Sequence, residues 1–187
     1  MIVYLPRKRR NFPNPSTTIG INRVDKLNVL GVTVSNTLTF SHHVTALVEK
    51  CARSLYALRI IRAHGLAGNA LFDVAQTTTV AQLLYASPPC WGFLKTQEKN
   101  RLQCTVRKAQ RSGFLPHSLI SLDELREESD ETLFRSIRYN PHHVLHHLLP
   151  PLKNTGHNLR PRSHNFTLHT PVTKQNYLNR MLFLDMY

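Results

Sequence analysis

Carboxylates are scarce in this chain of 187 residues: 11 Asp and Glu stand against 24 Lys and Arg, a formal net charge of +13. There is no Asp-Asp pair, so the adjacent carboxylates that hold two Mg²⁺ ions about 4 Å apart over a reacting phosphate are missing. Cysteine is sparse too. Cys51, Cys90 and Cys104 form no C-x-x-C pair, which excludes a disulfide framework and a zinc knuckle and fits a reducing, intracellular compartment, cytoplasmic or nuclear. No stretch approaches the roughly 18 apolar residues of a membrane span, so no membrane partner is expected. The first apolar run is too short for a signal peptide, and its basic block follows that run instead of preceding it. Neither a G-x-S-x-G elbow nor a Gly-rich phosphate loop is present, so no independent active site and no cofactor are indicated.

What the chain does have is 41% hydrophobic residues, enough for a folded protein, and a length suited to one core with at most a small appended subdomain. The charge excess favours a polyanionic partner, because each Lys or Arg set on a phosphate releases condensed counterions. Solubility alone is the bland alternative. The run Arg7, Lys8, Arg9 and Arg10 reads either as a nuclear address or as a phosphate-binding patch.

Residues 1–5 and 19–24 are short β-prone runs, and a third runs over residues 27–34, with Asp25 and Lys26 placed to connect the last two as a hairpin. From Ser41 the period changes. Val44, Leu47, Val48, Cys51, Leu55 and Leu58 mark one face of a helix, with Ser41 as N-cap and Gly65 as stop. Residues 68–86 are nearly uncharged all round, with only Asp73 ionised, which predicts the buried centre of a helical bundle ended by Pro88 and Pro89. A third helix over residues 96–112 sets a narrow stripe of Leu102, Val106 and Ala109 against a basic face of Arg101, Arg107, Lys108 and Arg111. Residues 121–141 gather the acids and read as two short helices broken near Ser129. Beyond Pro141 lies a His- and Pro-rich tail with a short amphipathic piece at 144–149 and a closing aromatic segment, whose order must come from docking.

Three constellations bear on chemistry. In HHVLHH, His142 with His146 and His143 with His147 have the i, i+4 spacing of shared metal ligands on a helix, but no Glu completes H-E-x-x-H and no third ligand is assured. Surface histidines beside a polyanion are the plainer reading, and no metal is assigned. The pairs Asp123-Glu124, Glu127-Glu128 and Asp130-Glu131 read as a solvated helix face, and Cys51 and Cys104 as thiols at or near apolar faces, acting as small hydrophobes. The basic helix face, Arg7 to Arg10, and the group Arg160, Arg162 and His164 together point to contact with RNA or DNA of weak sequence specificity.

The stretches KLNVLGVTVSNTLTFSHHVTALVEKCARSLYALRIIRAHGL and LLYASPPCWGF resemble the region after the catalytic palm of jockey-like non-LTR retrotransposon reverse transcriptases. There a K-x-L-G-V strand precedes L-x-F-x-x-H and, later, Y-x-S-x-x-W. The likeness continues through RKAQRSGF, LRPRSHNFTL and YLNRMLFLDMY, with Cys90 standing where the family usually has a small or aromatic residue. The resemblance implies that Leu30, Gly31 and Val32 are primer-grip-like, with the glycine admitting another backbone closely. An ordinary strand glycine at a bulge is the alternative. It further implies a thumb in the helices that follow and a palm, with its catalytic aspartates, upstream of Met1.

The expected fold is mainly α with a small β part: a hairpin region over 1–40, a helical thumb-like domain over 41–140 and an irregular extension over 141–187. The expected function is that of a non-catalytic remnant of an RNA-directed DNA polymerase that binds nucleic acid. A polymerase whose catalytic part is encoded elsewhere is a second possibility, and a host protein-interaction module acting through residues 121–140 is a third. A hairpin without its palm would leave an apolar edge open to self-association.

Overall fold

The computed structural model describes residues 24–118, 121–153, 164–167 and 175–184. The chain opens on a two-stranded antiparallel hairpin, β1 (Lys26–Val29) and β2 (Val32–Ser35), and is otherwise helical. The hairpin register runs from Lys26 opposite Ser35 to Val29 opposite Val32. Its turn is therefore Leu30 and Gly31, not Asp25 and Lys26. Both turn residues have positive φ, 49° and 79°, the tight connection that matches the twist of paired strands. Asp25 instead closes the open end: its carbonyl accepts from the Asn36 backbone N–H at 2.9 Å and its carboxylate from the Asn36 side chain at 3.1 Å. The apolar alternation of residues 27–34 thus belongs to two strands folded on themselves. Residues 1–23 lie outside the described residues, and Val24 is exposed coil.

Helix α1 (Ser41–Ala63) buries Val44, Cys51, Leu55 and Leu58. Phe40, not Ser41, occupies the N-cap position, and the Ser41 hydroxyl donates to Glu98 Oε1 at 2.5 Å. Next come α2 (Asn69–Ala75), a π-helical turn (Gln76–Val80) and α3 (Ala81–Leu84). Leu71, Ala75, Thr79, Val80 and Leu83 are buried, whereas Asn69, Asp73, Gln76, Thr77 and Tyr85 are exposed. The segment expected at the centre of the bundle is therefore one wall of it, because Ala, Thr and Gln are neutral enough to face either water or core. Pro88 and Pro89 do not simply end it. They lie inside a short helix, α4 (Ser87–Cys90), where a first-turn proline needs no N–H partner, and a 3₁₀ turn (Trp91–Phe93) follows.

Helix α5 (Thr96–Arg111) completes the main core. Its Leu102, Val106 and Ala109 meet the buried faces of α1 to α3, together with Trp91, Phe114, Leu115 and Leu122. Helix α6 (Leu122–Tyr139) is one unbroken helix, not two. Ser121 accepts from the Glu124 N–H at 3.2 Å while Glu124 accepts from the Ser121 N–H at 2.7 Å, a reciprocal cap that starts it firmly. Ser129 stays helical among strong helix formers on the packed side. A second core forms where Phe134 and Ile137 of α6 meet Tyr177, Met181 and Leu182 of α7 (Tyr177–Leu184). A third cluster seats the hairpin: Val32 and Val34 of β2 lie on Phe40, Ala86, Cys90 and Phe93, while β1 is exposed throughout.

Candidate nucleic-acid interface

Helix α5 lies parallel to α1, and side chains bind the pair at both ends. Glu98 is at once the N3 carboxylate of α5, accepting from the Lys95 N–H at 2.7 Å, and the acceptor for Ser41 of α1. One turn on, Arg101 donates to Thr45 Oγ1 at 3.2 Å. At the far end Arg62 of α1 donates to the Ser112 carbonyl at 2.7 Å and lies 4.6 Å above the Phe114 ring. With Leu102, Val106 and Ala109 fixed in the core, α5 has no rotational freedom left, so its outer face is set.

That face carries Arg101, Arg107, Lys108 and Arg111, all exposed as the sequence implied. Between Arg101 and Arg111 it runs about 15 Å at helical rise. The exposed residues of α5 include no acid, since Glu98 is buried at its start. On α1, Arg59 is exposed and shares a helical stripe with Leu55 and Arg62, so the positive charge extends across both helices. Lys108 and Arg111 also stand in the last turn of α5, where cations offset the free carbonyls; part of their role is local.

Cys104 departs from its expected place, being exposed among these cations and not at an apolar face. Its helical angle puts it between Arg101 and Arg111, opposite Leu102 and Val106. Cys51 does behave as a hydrophobe. Burial, opposed by the charge of Lys50, raises its thiol to about 11, and burial raises Cys90 to the same value.

The hairpin tip carries Leu30, Gly31 and Val32. Leu30 is 85% exposed and its carbonyl accepts from the Tyr85 hydroxyl at 3.1 Å. Among the described residues no atom would meet a β-carbon added at Gly31, and the glycine answers to the turn's left-handed backbone. Val32 is half buried against the hairpin seat.

Arg7, Lys8, Arg9, Arg10, Arg160 and Arg162 lie outside the described residues. His164, expected beside Arg160 and Arg162, is no surface cation. It is buried, its Nδ1 accepts from the Phe166 N–H at 3.3 Å, and its Nε2 therefore donates to the Leu182 carbonyl at 2.9 Å. The histidines at 142–147 are not helical except for a 3₁₀ turn (His146–Leu148), so the i, i+4 geometry for a shared metal does not form. His143 Nδ1 accepts from the Leu145 N–H, and His146 Nδ1 lies 2.7 Å from the Ile137 carbonyl oxygen. The amphipathic piece there packs Leu145 and Leu149 against the second core and leaves Val144 and Leu148 exposed.

Sequence reasoning missed one cluster altogether. Asp130, read as part of a solvated face, is 1% exposed, and its Oδ2 accepts from Arg126 of α6 and Arg180 of α7, each at 2.8 Å. Its carbonyl accepts from the Tyr177 hydroxyl at 2.7 Å, and Arg180 also donates to the Pro88 carbonyl at 3.3 Å. Arg126 and Lys99 lie over the Trp91 ring, at 5.5 and 5.2 Å. A signal existed: Leu122, Arg126, Asp130, Phe134 and Ile137 recur at helical spacing, which places the two charges on the apolar stripe.

No helix among the described residues is long and apolar enough to cross a membrane. No protein-family model, curated protein or solved structure matches the chain.

Proposed function

We propose that this chain binds nucleic acid through its basic helical surface without catalysis of its own, as the primer-grip and thumb part of a non-LTR retrotransposon reverse transcriptase. The observation that carries the reading is the outer face of α5, where Arg101, Arg107, Lys108 and Arg111 stand exposed with no acid among them in a chain of net charge +13. Such a face positions a phosphate backbone and reads little sequence. The hairpin tip, held by Tyr85 and with no described residue near the β-carbon position of Gly31, suits a rest for a strand end.

Replacing Arg107 and Arg111 together with Ala tests this. Both side chains point away from the packing stripe, so thermal stability should move by less than about 0.5 kcal/mol. Binding to a template-primer duplex should weaken alike for all sequences, with a plot of log K against log salt shallower by roughly two contacts at about 0.9 each. Unchanged duplex affinity at low salt would remove α5 as the binding face.

One observation favours a protein-interaction reading instead. Asp123, Glu124, Glu127, Glu128 and Glu131 are all exposed on α6, an acidic surface that nucleic acid would avoid. Affinity capture that recovers nucleic acid but no protein partner would set this alternative aside.

A further inference from the structure

A cavity of about 870 Å³ opens where the last turn of α6 meets the Pro150-Pro151 corner, walled in part by Arg138, Tyr139, Pro151, Lys153 and Phe166. Hydrogen bonds tie its walls to one another and to α7. The Lys153 N–H donates to the Asn165 carbonyl at 2.6 Å and the Thr167 N–H to the Pro151 carbonyl at 2.9 Å, while His164 is tied to Leu182 of α7. Tyr139 is 72% exposed at the rim, yet its ring is not loose, because the Arg138 guanidinium lies 5.3 Å from its centroid. An exposed aromatic ring backed by arginine is a stacking platform for a planar base.

Charge decides which of two neighbouring cavities suits a phosphate. Arg138 and Tyr139 also border a groove of about 520 Å³ whose walls include Glu127, Asp130 and Glu131. Among the described residues the larger cavity is lined by no carboxylate, and Arg138 and Lys153 are in its walls. From this we infer that the larger cavity receives one unpaired nucleotide of single-stranded RNA or DNA, its base on Tyr139 and its phosphate beside Lys153. Duplex bases are already stacked and cannot reach the ring, so this site is distinct from the α5 face in both place and ligand.

The test compares binding of a short oligouridylate, a short oligothymidylate and a duplex to the whole chain and to Tyr139→Ala, Tyr139→Phe and Lys153→Glu. Tyr139→Ala should weaken both single-stranded probes about tenfold, as loss of one stacked base does, and leave duplex affinity within about twofold. Tyr139→Phe should bind as the parent does, and Lys153→Glu should bind more weakly with a shallower salt dependence. A loss confined to oligouridylate would assign the site to RNA, and one confined to oligothymidylate to DNA. Equal single-strand affinity in the parent and in Tyr139→Ala overturns the inference, as does a loss in Tyr139→Phe matching that in Tyr139→Ala. The α5 reading fails separately, through an unaltered duplex affinity in the Arg107→Ala, Arg111→Ala double variant.

Discussion

A β-carbon at Gly92 would overlap the carbonyl of Gln175, so the backbone entering α7 rests directly on the only residue type that leaves it room. Gly92 follows Trp91, whose ring is covered by Lys99 and Arg126, and the stretch is therefore a seat for the C-terminal helix. Gly92→Ala should lift residues 175–184 from that seat while sparing α1 and α5. The expected readout is fast amide exchange in α7 with protection retained in α1; unaltered exchange in α7 would show that the strap relaxes around a methyl group. The two buried thiols make a pH prediction. Cys51 and Cys90 hold their protons up to about 11 in the folded chain against 9.0 in the free side chain, so folding retains protons that the unfolded chain would release. Their contribution is complete below pH 9 and is lost as the pH rises through 11. The Tyr177 phenol, raised mainly by burial and further by Asp130, acts in the same direction at still higher pH. Denaturant midpoints should fall between pH 9 and pH 11, and less steeply in Cys90→Ala. An equal slope in that variant would assign the loss to other groups.

At the level of elements, the hairpin shows what a turn demands. Leu30 is a large apolar residue held at φ 49° and left 85% exposed, a position that suits Asn far better. Leu30→Asn should raise stability by about 0.5 to 1 kcal/mol, read from a denaturant midpoint with unchanged slope. A fall instead would mean that the Leu30 side chain itself is needed. Much of this layer was legible in the sequence. The stripes Val44-Cys51-Leu55-Leu58 and Leu102-Val106-Ala109 predicted α1 and α5 because period 3.6 is unambiguous over long helices. The basic face of α5 followed from the same spacing. What periodicity could not give were the positions decided by local geometry or distant partners. The Leu30-Gly31 turn was hidden inside one continuous β-prone run. The serine in the middle of α6 suggested a break that its capping box and packing overrode. Cys104 was misplaced through its residue type, although its helical angle already set it among the arginines. The charge of Asp130 spoke for solvent, and its burial rests on Arg126 one turn earlier together with Arg180, 50 residues later.

Over the whole molecule, charge and packing are both divided along α6. Asp123, Glu124, Glu127, Glu128, Asp130 and Glu131 are six of the chain's 11 acids, so few acids remain among the exposed cations of α1 and α5. The same helix spans both cores: Leu122 and Leu125 pack in the bundle, Leu133, Phe134 and Ile137 against α7. Between these groups sit Arg126 and Asp130, and Asp130 is where α7 attaches through Arg180 and the Tyr177 hydroxyl. The seam is therefore ionic where both sides of it are apolar. Removing the carboxylate charge leaves the largely buried Arg180 guanidinium without this counter-ion and Arg126 with only the exposed Glu127, 2.6 Å away, a loss on the order of 3 kcal/mol. Asp130→Asn should consequently uncouple the second core from the first. Hydrogen exchange is expected to accelerate in residues 133–137 and 177–184 at conditions where α1 and α5 remain protected, and duplex binding by the α5 face should persist. If α1, α5 and α7 instead lose protection together, the two cores form one cooperative unit and Asp130 stabilises all of it.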